Sequence, residues 1–278
     1  NKHNSEDILN FVDPFIGTGF HGHTFPGPTL PFGMVQVGPD TRIEGWDGCS
    51  GYHYSDTIIY GFSHTHLSGT GIGDYCDLLL MPIQGNPTFN NGYQDPSILN
   101  YASSFNKKKE KARAGFYEVN LDKHDIQVQL TCTERVGIHQ YSFSNSSDAS
   151  IVVDLEHRDK LLESELYISS DSLIMGKRIS QSWAQKQYFY FCIALSSAYD
   201  VQYNDDSIPT KAILKLRESR DDVLVKVGVS TVSAESARNN LALEAPHWNF
   251  DEYKLNAKNS WRNELQKINI KSSTDSVK

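Results

Sequence analysis

Between positions 115 and 230, apolar and polar residues alternate in short runs. The runs fall at 115–121, 126–133, 136–143, 150–155, 172–182, 188–195 and 223–230. Alternation with a period of two puts successive side chains on opposite faces, as a half-buried strand requires. Polar breaks such as Asn145-Ser146-Ser147-Asp148 separate the runs. Many short strands at this spacing predict an antiparallel sandwich or barrel. Strands do not alternate with helices, which argues against a parallel doubly wound sheet. After Ser233 the period changes, and 233–243 and 251–268 read as helices on either side of Pro246. In the second, Ala257, Trp261, Leu265 and Ile268 share one stripe, expected to pack on the sandwich. Asp251 and Glu252 stand at its amino end, where the helix dipole favours acidic groups. The fold class is therefore mainly β: an antiparallel β-sandwich followed by two helices. The polar segment 271–278 reads as a linker.

The first zone, from Phe11 to about Gln84, has little regular periodicity. It is rich in Gly, Pro, His and aromatic residues, a composition of long shaped loops between short strands. Five of the ten histidines lie here, at 21, 23, 53, 64 and 66, which makes it the place to look for chemistry. His21/His23 and His64/His66 are His-x-His pairs. On extended backbone both rings of a pair face the same way and could chelate a metal. The plainer reading is buried imidazole bonded to backbone. Calcium prefers oxygen, so these rings are poor calcium ligands. Trp46-Asp47 suits a sugar: the indole covers the apolar C–H face, and the carboxylate accepts hydrogen bonds from hydroxyls. The same dipeptide also reads as a core Trp beside a turn Asp. No phosphate loop or G-x-S-x-G elbow is present. The spacing of Asp74, Asp77, Asp154, Glu156 and Asp159 singles out no acid–base pair.

Composition narrows the classes. Of 278 residues, 38% are hydrophobic and 22% charged, too apolar for a disordered chain. The net charge of −8 argues against nucleic acid as a partner. The longest basic run, Lys107-Lys108-Lys109, is followed by Glu110 and reads as a solvated loop. No apolar run reaches the roughly 20 residues of a membrane span. The opening Asn1-Lys2-His3-Asn4 is compatible with a trimmed, exported chain. Cys49, Cys76, Cys132 and Cys192 contain no C-x-x-C pair. Cys132 and Cys192 lie in strand runs as packed apolar residues; Cys49, in a Gly-rich loop, is the one to watch.

Four long motifs carry a resemblance. Val12-Asp13-Pro14-Phe15-Ile16-Gly17-Thr18-Gly19 is the first. His21-Gly22-His23-Thr24-Phe25-Pro26-Gly27, with Pro31-Phe32-Gly33-Met34-Val35-Gln36, is the second. Gly45-Trp46-Asp47-Gly48-Cys49-Ser50-Gly51-Tyr52-His53-Tyr54 and Tyr60-Gly61-Phe62-Ser63-His64-Thr65-His66-Leu67-Ser68-Gly69-Thr70-Gly71 complete the set. Together they resemble the start of the family 92 glycoside hydrolases, inverting calcium-dependent exo-α-mannosidases. Weaker likeness runs on to Trp261-Arg262-Asn263-Glu264-Leu265. Phe20 stands where many members have Gly.

The resemblance implies three parts: a β-sandwich over 1–232, a helical linker over 233–270, and over 271–278 the first residues of an (α/α)6 catalytic barrel. It implies a secreted, periplasmic or cell-surface α-1,2-mannosidase acting on mannose-containing glycan. Trp46, Asp47, His21 and His64 would be substrate-binding residues at the junction with the protein's own catalytic domain. Catalytic residues and most calcium ligands would lie on that domain, none of them in this chain. The readings that stay open are a free-standing lectin-like sandwich and a small metalloenzyme built on the His-x-His pairs.

Overall fold

The computed structural model describes residues 7–95, 97–170, 172–217 and 222–268. The linker at 271–278 and the boundary at 270 lie outside them. In chain order the strands are β1 Gly38–Asp40, β2 Ile58–Ile59, β3 Gly61–Ser63, β4 Leu79–Gln84, β5 Ser103–Ser104, β6 Lys111–Arg113, β7 Phe116–Leu121 and β8 Ile126–Cys132. There follow β9 Val136–Phe143, β10 Ala149–Asp154, β11 Lys160–Ile168, β12 Ile174–Gln181, β13 Gln187–Leu195, β14 Tyr199–Tyr203, β15 Lys211–Leu216 and β16 Asp222–Ser230. Two helices close the described chain, α1 Ala234–Glu244 and α2 Phe250–Leu265.

The protein is mostly β, with antiparallel sheets and two helices at the carboxyl end. One sheet has the order β1-β3-β4-β10-β15-β14 and the other β11-β12-β13-β16-β9-β8-β7-β6; β2 and β5 pair separately. Val223, Val225, Val227 and Val229 of β16 point into the core between the sheets, with Phe189, Phe191 and Ile193 of β13. Opposite them stand Ile151 and Val153 of β10 and Leu214 of β15. The alternate positions of the larger sheet, Val136, Ile138, Cys192 and Ala194, form a second core with Ala237, Leu241, Phe250 and Tyr253 of the helices. The larger sheet is thus covered on both faces.

The helices start where the sequence says they should. Ser233 accepts a hydrogen bond from Ser236 N, and Asn249 from Glu252 N, each satisfying one orphan amide of the first turn. The stripe expected on α2 is only partly right. Phe250, Tyr253 and Ala257 are its buried positions. Trp261 is half-buried, and its Nε1 donates to Thr29 O at 2.7 Å. Ile268 lies past the last turn and is 72% exposed. The helix ends at Leu265, too early to carry that residue onto the sheet.

Some strands carry no legible alternation. β11 is an edge strand exposed along most of its length, so water, not a core, met its residues. β4 sits in the middle of the smaller sheet and is buried except at Gln84, which makes it a continuous apolar run.

One charged pair staples the two sheets. Asp77, just before β4, and Arg178, on β12, form a fully buried ion pair. Arg178 Nε also donates to Leu155 O at 2.8 Å, while Asp77 Oδ2 accepts from Thr65 Oγ1 at 2.8 Å and Gln187 Nε2 at 2.6 Å. Removing one partner leaves a buried charge uncompensated. Arg178→Met is expected to cost about 3–5 kcal/mol, and adding Asp77→Leu should recover most of it. Urea unfolding of the two variants checks this; equal midpoints would refute it.

Candidate sugar-contact site

Three loops of the first zone meet around Trp46. The indole opens a 3-10 turn, Trp46–Gly48, and is 58% exposed. His21 Nδ1 lies 2.6 Å from Asp47 Oδ1, with the His21 ring tilted against the indole at 5.0 Å. His23 meets the indole edge-on at 4.3 Å, its Nε2 3.7 Å from the same carboxylate oxygen and without a hydrogen-bond partner. The third loop closes the group: Gly69 N donates to His23 O at 2.7 Å. A Cβ on Gly71 would come within 2.5 Å of Trp46 Nε1, so only glycine fits there unless the indole moves. Phe20 and His23 both hold positive φ, a cost that persists only where surrounding structure fixes it.

The hydrogen bond from His21 is the main reason the Asp47 carboxyl is held below the usual carboxylate range; burial works against it. The result is a half-open aromatic face with a carboxylate and two imidazoles on its rim. That arrangement can cover an apolar sugar face and exchange hydrogen bonds with hydroxyls. The side chains meeting the indole include one carboxylate. Cleavage with inversion needs two, roughly 6.5–9.5 Å apart.

Of the four residues expected to bind substrate, the structure brings together Trp46, Asp47 and His21. His64 lies elsewhere. It is fully buried, with Nδ1 2.8 Å from Leu78 O and Nε2 2.9 Å from His139 Nε2. Burial drives its pKa down to about 4. A ring closed off from solvent cannot touch a sugar in this conformation, which corrects its placement beside Trp46. The His-x-His spacing misleads here because the rings of 64 and 66 diverge, His66 turning to Asp40.

Two groups escaped the sequence reading. Trp183, at the tip of the β12–β13 hairpin, is 75% exposed. Asp74 fixes that tip by accepting from Trp183 N at 2.8 Å and Ala184 N at 3.1 Å. Asp74 belongs to the same loop as Gly71, so the hairpin is tied to the wall beside Trp46. A lone Trp among polar residues was the available signal. The other group is buried: Asp40, His66 and Cys76, whose ligand atoms lie within 4.8 Å of one another. Cys76, not Cys49, is thus the cysteine with chemistry around it. Cys49 is buried, with its thiol donating to Trp46 O.

Calcium takes about six to eight oxygen ligands. Among the described residues, the group of His, Cys, Asp and Glu close enough to share an ion is Asp40, His66 and Cys76. One carboxylate beside a thiol and an imidazole does not fit calcium.

Residues 11–230 match the glycosyl hydrolase family 92 N-terminal domain, which places the fold among the sandwich domains of glycosidases. Residues 236–278 match the glycosyl hydrolase family 92 catalytic domain. The chain belongs to glycosyl hydrolase family 92. A family GH92 α-mannosidase of Bacteroides thetaiotaomicron, solved with mannoimidazole, is 29% identical with a TM-score of 0.89; the match covers 96% of this chain and 38% of that one. An inverting GH92 mannosidase of the same organism shares the fold at 23% identity and a TM-score of 0.81, over 98% of this chain and 38% of its own. A curated relative from Arthroderma benhamiae, an uncharacterized secreted glycosidase, is 25% identical over 96% of this chain and 39% of its length. The chain thus spans less than two-fifths of these relatives.

The His21–Asp47 pair has a readable pH signature. Because the folded pKa of Asp47 is depressed, the pair contributes fully above the ordinary carboxyl range. Its contribution is lost as pH falls through the depressed value. In a His21→Ala variant, the Asp47 carboxyl should titrate at higher pH than in the parent. Carbon-13 NMR of the carboxyl group measures this, and coincident titrations would contradict it.

Proposed function

We propose that this chain is the amino-terminal portion of a secreted, inverting, calcium-dependent exo-α-mannosidase, specific for α-1,2-linked mannose in glycans. Trp46, Asp47 and His21 form its contribution to the sugar site at the junction with the catalytic domain. The observation that carries the reading is the half-exposed Trp46 face, rimmed by the His21–Asp47 pair, within a chain of family 92. The division is a sandwich to 232, a helical linker to 270, and then the catalytic barrel. The match of 236–278 to the catalytic-domain model favours a glycosidase over a free-standing lectin, and it starts within the segment taken here as the linker. The name of the fungal relative supports secretion. No helix among the described residues is long and apolar enough to cross a membrane.

In this division the catalytic acid, the base and the calcium ligands reside on the barrel. The described residues carry out the remaining work. The indole takes the apolar face of the terminal sugar, Asp47 accepts from a hydroxyl, and His21 holds the carboxylate ionised and oriented. Such contacts raise the rate as far as they tighten in the transition state.

In the full-length protein, Trp46→Ala should lower kcat/KM on an α-mannoside about tenfold to a hundredfold. That corresponds to roughly 1.5–3 kcal/mol for a lost apolar face. Unchanged kcat/KM with a normal circular dichroism spectrum would remove Trp46 from the site.

Residues 1–278 expressed alone should not turn over mannosides, because sugar contact without a paired acid and base leaves the chemical barrier standing. Fragment and full-length protein are incubated with an α-mannoside and calcium. Turnover by the repurified fragment at a comparable rate would place the catalytic carboxylates inside these residues.

A further inference from the structure

We propose that Asp40, His66 and Cys76 form a buried transition-metal site of the zinc class, with His157 as the donor available for the fourth position. Asp40 ends β1, His66 follows β3, Cys76 precedes β4 and His157 follows β10. The chain therefore delivers four separate segments to one point beneath the Trp46 loop.

The proton count argues first. His66 Nδ1 lies 2.7 Å from Gln36 O. A carbonyl only accepts, so Nδ1 carries the proton and donates. In the neutral ring Nε2 is then a lone pair; it stands 2.9 Å from Asp40 Oδ1, with the Ser63 hydroxyl farther off at 3.3 Å. Two acceptors facing each other at that distance require something positive between or upon them. A metal ion supplies it, and Gln36 O then plays the part that carbonyls play behind metal-bound imidazoles, fixing tautomer and orientation.

The orphaned atoms point the same way. His157 is buried and its Nδ1 has no hydrogen-bond partner; its Nε2 and Asp40 Oδ2 have none of good geometry. His157 Nε2 lies 2.9 Å from that oxygen. The approach has ion-pair distance but not hydrogen-bond geometry. A buried polar ring with an unmet nitrogen is expensive, and here its other nitrogen faces the Asp40 carboxylate.

The donor set and its charge fit zinc. One thiolate, imidazoles and one carboxylate are the ligands of four-coordinate zinc. A divalent ion would offset the charges of an ionised Asp40 and Cys76. Burial pushes the Cys76 thiol well up, with Arg158 Nη1 3.7 Å from Sγ acting against it, so binding of the ion is what would release the thiol proton. Space is reserved as well: a Cβ on Gly51 would come within 2.4 Å of Asp40 Oδ1 and 2.8 Å of Cys76 Sγ. Tyr75 and Cys76 adopt positive φ, which turns the thiol inward.

The test uses the full-length protein, grown with zinc and dialysed, with metals counted by mass spectrometry. The expected result is a retained zinc equivalent that Cys76→Ser and His66→Gln each remove. A chelator should lower the thermal midpoint, and zinc chloride alone should restore it. Cobalt loaded in place of zinc should give a thiolate-to-cobalt absorption band, absent in Cys76→Ser. If either variant fails to fold, the cobalt band of the parent protein decides alone. Loss of all zinc on dialysis together with no cobalt band would overturn the site, leaving Asp40 held by protonated histidines. Calcium as the sole retained metal would overturn it equally.

Discussion

Charge buried between two sheets is the constraint on which this structure turns. A sandwich interior is apolar by construction, yet here Asp77 and Arg178 meet inside it and Asp40 lies fully enclosed nearby. Each such group must be met by several partners at once. Meeting them fixes where β4 lies against β12 and β13, because Arg178 and Gln187 reach Asp77 from the larger sheet.

This polar scaffold also explains the density of unusual backbone. Phe20, His23, Tyr75, Cys76 and Leu78 all hold positive φ, a conformation that disfavours side chains with a Cβ. Such strain survives where neighbours over-determine it. Phe20 and His23 lie beside the Trp46 cluster, and the other three lie beside or within the buried Asp40 group. The first region therefore has little regular structure yet little apparent freedom, since hydrogen bonds such as Gly69 N to His23 O and Cys76 N to Thr65 O lock the loops together.

How legible this was depended on the type of side-chain signal. Strands buried on one or both faces of the larger sheet, such as β9 and β16, wrote their period into the sequence. The helices wrote theirs through Ser233, Asn249 and the change of period. β11 lies at a sheet edge and is exposed along most of its length, so no core wrote an alternation into it; β14, also at an edge, alternates but over five residues only. At the site, Trp46-Asp47 alone left a sugar contact and a core Trp beside a turn Asp both open, and the family resemblance favoured the first. His64 was misplaced because spacing within a pair says nothing about which way each loop turns next. Asp40 and His157 were invisible, since their meeting depends on strands far apart in sequence. Cys76 looked like one more apolar residue in the run leading into β4.

The attachment of α2 has a mechanical consequence. Its first turns are seated in the outer core through Phe250 and Tyr253. Farther along, Trp261 bonds Thr29 O, and Arg262 grips Asp7 with Nη2 2.6 Å from Oδ2. That guanidinium holds the Asp7 carboxyl down at about 2, so the grip persists across ordinary pH. A rod fixed near both ends transmits torque instead of absorbing it. Thr29, which Trp261 holds, lies six residues along the chain from His23, at the edge of the Trp46 indole. The helix thus joins the carboxyl end of the described chain to the segment that leads back to the Trp46 loops.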